Sequence, residues 1–155
     1  MRTVVAGTFG PIHDGHRQLF SHALRCGEEG VVVGLTTDAL AAATRETPRP
    51  VPPFTERQRA VREECRALDE WGRDVTVEAI EDRHDIAVSD STLEAIVCSP
   101  ETVTEIEAIN DRRRDRGYEP LTGIVAPYVL ADDGRRISST RIVQGVIDEH
   151  GAVCD

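Results

Sequence analysis

Lysine is absent from this chain. All 18 basic residues among its 155 are arginine, set against 28 aspartates and glutamates, for a formal net charge of −10. Aromatic residues are scarce as well: three Phe, two Tyr and one Trp. No apolar run approaches the ~20 residues that span a bilayer, and no signal-peptide pattern opens the chain. The expectation is a cytosolic protein without membrane contact. An acidic chain repels the phosphate backbone that dominates nucleic-acid affinity, so nucleic acid is not an expected partner. The four cysteines (Cys26, Cys65, Cys98 and Cys154) lie far apart, without CxxC or metal-finger spacing. A disulfide framework is not expected at this size in a cytosolic setting. Cys26, Cys65 and Cys98 read as buried thiols. Repeats and low-complexity tracts are also missing, and the length suits one domain over residues 1–155.

The acid excess without lysine has two readings. A salt-rich cytosol favours carboxylate surfaces, because net charge maintains solubility while salt screens self-repulsion. GC-biased codon usage replaces lysine by arginine with no physical pressure at all.

What is present alternates between strand and helix patterns. Thr3-Val4-Val5-Ala6 reads as a buried strand ending at Gly7, and apolar spacing predicts a helix over about 15–26. Val31 to Thr36 is a second strand, β-branched and too short for a helix. Thr44 to Pro53 is proline-rich and reads as an exposed loop. Thr55 is placed to cap a long helix through Trp71, with Val61, Cys65 and Leu68 inward. Val75 to Ile80 is a third strand, Glu81 to Ser91 an irregular polar stretch, and Ala95 to Cys98 a fourth strand. A helix follows over about 101–116 with Gly117 as its C-terminal signal. Leu121 to Ala126 is the fifth strand, and Ser138 or Ser139 caps a last helix toward Glu149. The pattern predicts an α/β single domain: a doubly wound, Rossmann-like parallel sheet of five strands. Ligands of such sheets bind outside the carboxyl ends of the strands, at the topological switch point.

The first strand leads into Gly7-Thr8-Phe9-Gly10-Pro11-Ile12-His13-Asp14-Gly15-His16. Glycines allow close backbone approach, and the free N–H groups opening the next helix favour an anion. His13 and His16 bracket its first turn, where imidazole N–H groups can meet charge developing on phosphate oxygens. His22, His84 and His150 lack this context and read as ordinary surface or core residues. Ile137-Ser138-Ser139-Thr140-Arg141 sets three hydroxyls and an arginine at another helix start, a second phosphate cradle when combined with the first.

These two segments resemble the GTFDPxHxGH and ISSTK/R motifs of the nucleotidyltransferase superfamily. Ser99-Pro100-Glu101-Thr102, Ala108-Ile109-Asn110, the 113–117 segment RRDRG, Pro120-Leu121 and Ala131-Asp132-Asp133-Gly134 resemble the corresponding block of archaeal phosphopantetheine adenylyltransferases. The likeness runs from Val4 to about Gly151. It implies transfer of AMP from ATP to 4′-phosphopantetheine, with dephospho-coenzyme A and pyrophosphate as products. By that resemblance His16 stabilises the α-phosphate, and His13 the neighbouring oxygens. The nucleotide set is Gly7, Thr8, Phe9, His13, His16, Ser138, Ser139, Thr140 and Arg141. Thr8 bridges both substrates, and Arg45, Asn110 and Arg113 are the further candidates for acceptor or phosphate contact. Asn110 and Arg113, one helical step apart, read equally well as part of a solvated face, the reading given to Arg112 and Arg114. Mg²⁺ is expected through the ATP phosphates, with no protein metal ligands.

Three positions depart from the pattern. Gly10 stands where the family usually has Asp. The lysine that often holds the acceptor phosphate has only Arg45 as substitute, with Arg49 behind it. Glu81-Asp82-Arg83-His84-Asp85 lacks a Tyr-Gly-Pro-like turn. Alternatives are a nucleotidyltransferase acting on nicotinamide mononucleotide, a flavin or a glycerol phosphate, and a non-catalytic nucleotide-binding regulator. A pocket for two polyanions in an acidic chain is expected to gather the positive residues at the carboxyl end of the sheet, with carboxylates spread elsewhere.

Overall fold

Strands with apolar residues at consecutive positions need cover on both sheet faces. In the computed structural model, which describes residues 1–44 and 49–154, they receive it. Five strands, β1 (Arg2–Gly7), β2 (Gly30–Thr36), β3 (Val75–Ile80), β4 (Ala95–Cys98) and β5 (Thr122–Val125), form one parallel sheet in the order β3-β2-β1-β4-β5. Alternate side chains divide between two cores. Val5, Val31, Val33, Leu35, Val77 and Val97 meet α1 (Asp14–Cys26) and α3 (Phe54–Leu68) through Phe20, Leu24, Val61 and Cys65. Val4, Val32, Ile80 and Ile96 face the other way, against α4 (Asp85–Ser89) and α5 (Glu105–Asp115) through Ile86, Val88 and Ile109. The chain winds β1-β2-β3 toward one edge, then crosses to β4 and β5. The switch point therefore lies between β1 and β4.

Several boundaries differ from expectation. Residues 38–44 form α2 (Asp38–Thr44), and α4 occupies the stretch expected to be irregular. Thr55 lies inside α3. That helix starts behind Pro53, without a side-chain cap, and ends at Leu68 rather than Trp71. Proline already supplies the φ of a helix start and has no N–H to satisfy, so the hydroxyl signal at 55 was redundant. The helix expected from 101 is α5, opening at Glu105. The last helix, α6 (Ser139–Val143), stops well before Glu149. Gly145 (φ 76°) closes α6: its N–H bonds to Ile142 O, and Val146 N–H bonds to Arg141 O. This is the paired-bond glycine stop, and Gly117 repeats it behind α5. A small third cluster, Ala131, Ile137 and Ile147, anchors the segment after β5. Cys65 and Cys98 are buried as expected, whereas Cys26 is half-exposed.

Candidate active site

The turn after β1 is shaped by one ring. Phe9 (φ 48°) folds back so that a Cβ on Gly7 would lie 2.9 Å from its Cζ. Its ring packs tilted on Phe20 and edge-on to His16, with centroids 5.1 Å apart. Phe9 was expected to meet the nucleotide. Its ring is buried in the core and packs against His16.

His13 caps α1. Its Nδ1 accepts from the N–H groups of Gly15 (3.0 Å) and His16 (3.4 Å). An Nδ1 that accepts leaves the neutral ring with its proton on Nε2, a donor. Burial, then the nearby Arg17 guanidinium, holds the His13 pKa down to about 4 against an ordinary 6.5. The ring therefore stays neutral near pH 7. His16 stacks on it, with centroids 3.7 Å apart and planes 21° apart. Burial, and after it the neighbouring His13 ring and the Arg17 guanidinium, keeps His16 well below its ordinary pKa too. Its Nδ1 is shut off from solvent without a hydrogen-bond partner among the described residues. Gly15 is needed here because a Cβ would come within 2.8 Å of the His13 ring.

Two cavities open beside these residues at the carboxyl end of the sheet. One, of about 250 Å³, is lined by Gly7, Thr8, Thr36, His84, Cys98 and Ile106 among others. The second, of about 220 Å³, is lined by His13, His16, Tyr128, Arg136, Ser138 and Ser139 among others. Leu19 and Ser99 belong to both walls. The geometry suits two ligands meeting at the β1–α1 turn.

The expected site residues divide accordingly. His13, His16, Ser138 and Ser139 share one cavity, and Gly7 and Thr8 line the other. Ser139 is buried, and its hydroxyl donates to Pro11 O at 2.7 Å, which fastens α6 to the β1–α1 turn. Ser138 caps α6 by accepting from Arg141 N–H at 3.2 Å. Thr140 and Arg141 line neither cavity. The Arg141 guanidinium pairs with Asp133 and donates to Arg136 O, clamping the preceding turn. Arg45 lies outside the described residues.

Asn110 and Arg113 require correction. Arg113 is fully buried and donates to the carbonyls of Ala87, Asp90, Leu93 and Glu119 at 2.8–3.2 Å. Asn110 bonds both backbone groups of Leu121, at 2.7 and 3.1 Å. Both tie α5 to the ends of α4 and β5, and neither lines either cavity. Buried carbonyls must be satisfied, and a five-donor guanidinium does this as readily as it binds phosphate.

Two residues were missed. His84 lines the first cavity with its Nε2 shut off from solvent, 3.7 Å from Glu105, which also pairs with Arg83 at 3.1 Å. Arg136 lines the second, 2.7 Å from Glu101 and over the Tyr128 ring. Arg136 immediately precedes the Ile137–Arg141 motif, a position that could have drawn notice. His84 offered no signal beyond its place after β3. Charge segregation is only partial: Arg17, Arg57, Arg83, Arg136 and Arg141 gather at this end of the sheet, but each carries a carboxylate partner.

A doubly wound parallel sheet, with paired histidines on a helix start at its switch point, defines a nucleotide-handling protein of the nucleotidyltransferase kind. The sequence pattern of the cytidylyltransferase-like family matches residues 4–145, and the chain belongs to that family. It is 45% identical to the phosphopantetheine adenylyltransferase of Methanopyrus kandleri over 150 residues, 96% of this chain and 91% of that one. The phosphopantetheine adenylyltransferase of Methanothermobacter thermautotrophicus is 41% identical over 149 residues, 96% and 87% of the two chains. Among solved structures, an Archaeoglobus fulgidus protein of unknown function superposes with a TM-score of 0.70 at 28% identity, covering 81% of this chain and 89% of the other.

Proposed function

We propose that the protein transfers AMP from ATP to 4′-phosphopantetheine, giving dephospho-coenzyme A and pyrophosphate. The observation that carries this reading is the stacked, neutral His13–His16 pair in the cavity of Ser138, which shares Leu19 and Ser99 with the cavity that Thr8 lines. Relatives named for this activity match nearly the whole chain. An oxygen of the acceptor's phosphate attacks the α-phosphorus of ATP. The bond from that phosphorus to the bridging oxygen breaks, and pyrophosphate leaves with the electron pair. The nucleophile needs no protein base, because a phosphate monoester with a second pKa of ~6 is already largely ionised at pH 7. What the site supplies is alignment and donors for the charge that develops on the α-phosphate. His13 donates through Nε2–H, and His16 serves the same phosphate from the adjoining position. The nucleotide occupies the cavity of Arg136 and Ser138, entering as its magnesium complex with the ion held by triphosphate oxygens. The acceptor occupies the cavity of Thr8 and His84.

Among the described residues no helix is long and apolar enough to cross a membrane. The working place that fits this reaction and this composition is a salt-rich cytosol. Incubation with ATP and each of four acceptors (4′-phosphopantetheine, nicotinamide mononucleotide, flavin mononucleotide and glycerol 3-phosphate) tests the function. Pyrophosphate release is expected with 4′-phosphopantetheine; release with another acceptor alone overturns the reading.

A further inference from the structure

Thr36 ends β2, and its hydroxyl sits between Arg57 Nη1 at 3.3 Å and Thr8 Oγ1 at 3.0 Å. A guanidinium has only donors. The Thr36 oxygen therefore accepts from Arg57, and its single proton is directed at Thr8 Oγ1. Thr8 Oγ1 accepts in turn, so its own proton is left for the cavity that Thr8 lines. A phosphate dianion is purely an acceptor, so the orientation matches the ligand.

Arg57 is locked in place. It is 1% exposed. Nε donates to Pro52 O at 2.8 Å, Nη1 also donates to Thr8 O at 3.0 Å, and Nη2 meets Asp38 at 2.9 Å. Gly10 takes part by having no side chain: a Cβ there would lie 2.8 Å from Arg57 Cδ and 3.2 Å from Pro52 Cδ. The residue that departs from the family pattern is thus the one that makes room for the Arg57 stem.

We propose that Arg57 and Thr36 are positioning residues that hold Thr8 with its hydroxyl proton directed at the acceptor's phosphate. The inference rests on the nucleotidyl-transfer reading above and adds the relay that orients one of its ligand contacts.

Thr36→Val removes the relay at nearly constant shape, Thr36→Ser retains it, and Thr8→Val removes its end point. Pyrophosphate release is measured with both substrates varied, alongside calorimetric titration with 4′-phosphopantetheine and thermal melting. A lost hydrogen bond to a charged group corresponds to about a tenfold effect. The expected result is a roughly tenfold fall in kcat/KM for the acceptor in Thr36→Val, with KM for ATP shifted less than about twofold. Thr36→Ser returns to within about twofold of wild type, and Thr36→Val adds less than about twofold in the Thr8→Val background. Losses that multiply in the double variant, or that Ser does not rescue, overturn the relay. Wild type that binds the acceptor without turnover fails the enzymatic reading, and the relay is then decided by the same cycle in binding. Absence of acceptor binding by wild type overturns both.

Discussion

His13 combines two tasks that different atoms of one ring perform. Nδ1 satisfies the start of α1, which leaves the proton of the neutral ring on Nε2 as a donor. Asparagine places an acceptor where Nδ1 stands but has nothing at Nε2. His13→Asn is therefore expected to keep the cap and lower pyrophosphate release about 100-fold, within the range for loss of a charge-stabilising donor. The same substitution carries a pH signature. His13 titrates at about 4 in the fold and 6.5 ordinarily, so above pH 6.5 both folded and unfolded chains hold it neutral and its full stability is present. As pH falls from 6.5 to 4 the unfolded chain takes the proton first, and up to about 3 kcal/mol is lost across that window. Urea unfolding at pH 7 and pH 4.5 checks this: the drop is expected to be smaller in His13→Asn than in wild type. An equal drop in both proteins would remove the assignment of a depressed His13.

Among the elements, α1 shows how little slack the packing leaves. Thr3 Oγ1 donates to Ala23 O at 3.0 Å where α1 ends. A Cβ on Gly27 would meet Val31 Cγ2 at 2.5 Å, Ala23 O at 2.7 Å and Thr3 Oγ1 at 2.9 Å. Gly27→Ala is expected to cost about 2 kcal/mol by overpacking, read as a lower urea midpoint at unchanged slope. Because α1 also carries His13 and His16, activity near the midpoint should fall with the folded fraction and not ahead of it. Element type was legible wherever periodicity was strong, as in β2 and α1. It was illegible over 38–44 and 85–89, because helices of seven and five residues are stabilised by packing on the second core and not by their own pattern. Gly145 and Pro53 were local boundary signals in plain view. A glycine with positive φ ends α6 and a proline starts α3, and neither depends on a hydroxyl cap at Thr55.

For the whole molecule, the net charge of −10 sets a repulsive field around a site for two polyanions. Five arginines at the carboxyl end of the sheet are each neutralised by a carboxylate, so they provide geometry more than net charge. Molar salt shortens the screening length to about 3 Å and weakens the field that opposes substrate entry. Pyrophosphate release is expected to persist or rise between 0.1 and 2 M KCl. Inactivation over that range would leave codon bias as the account of the missing lysines.

The sequence by itself determined the doubly wound sheet, its five strands and the position of the His13–His16 pair. Periodicity and motif spacing are local, and local patterns dictate which faces are buried and which turn follows β1. Only the tertiary structure decided the fate of the arginines and polar side chains. Arg57 and Arg113 are alike in sequence, charged residues on amphipathic helices. One is directed at Thr8 and Thr36, and the other at four backbone carbonyls around the end of α4 and the start of β5. A guanidinium goes wherever unsatisfied acceptors converge, and that convergence exists only after distant segments have packed.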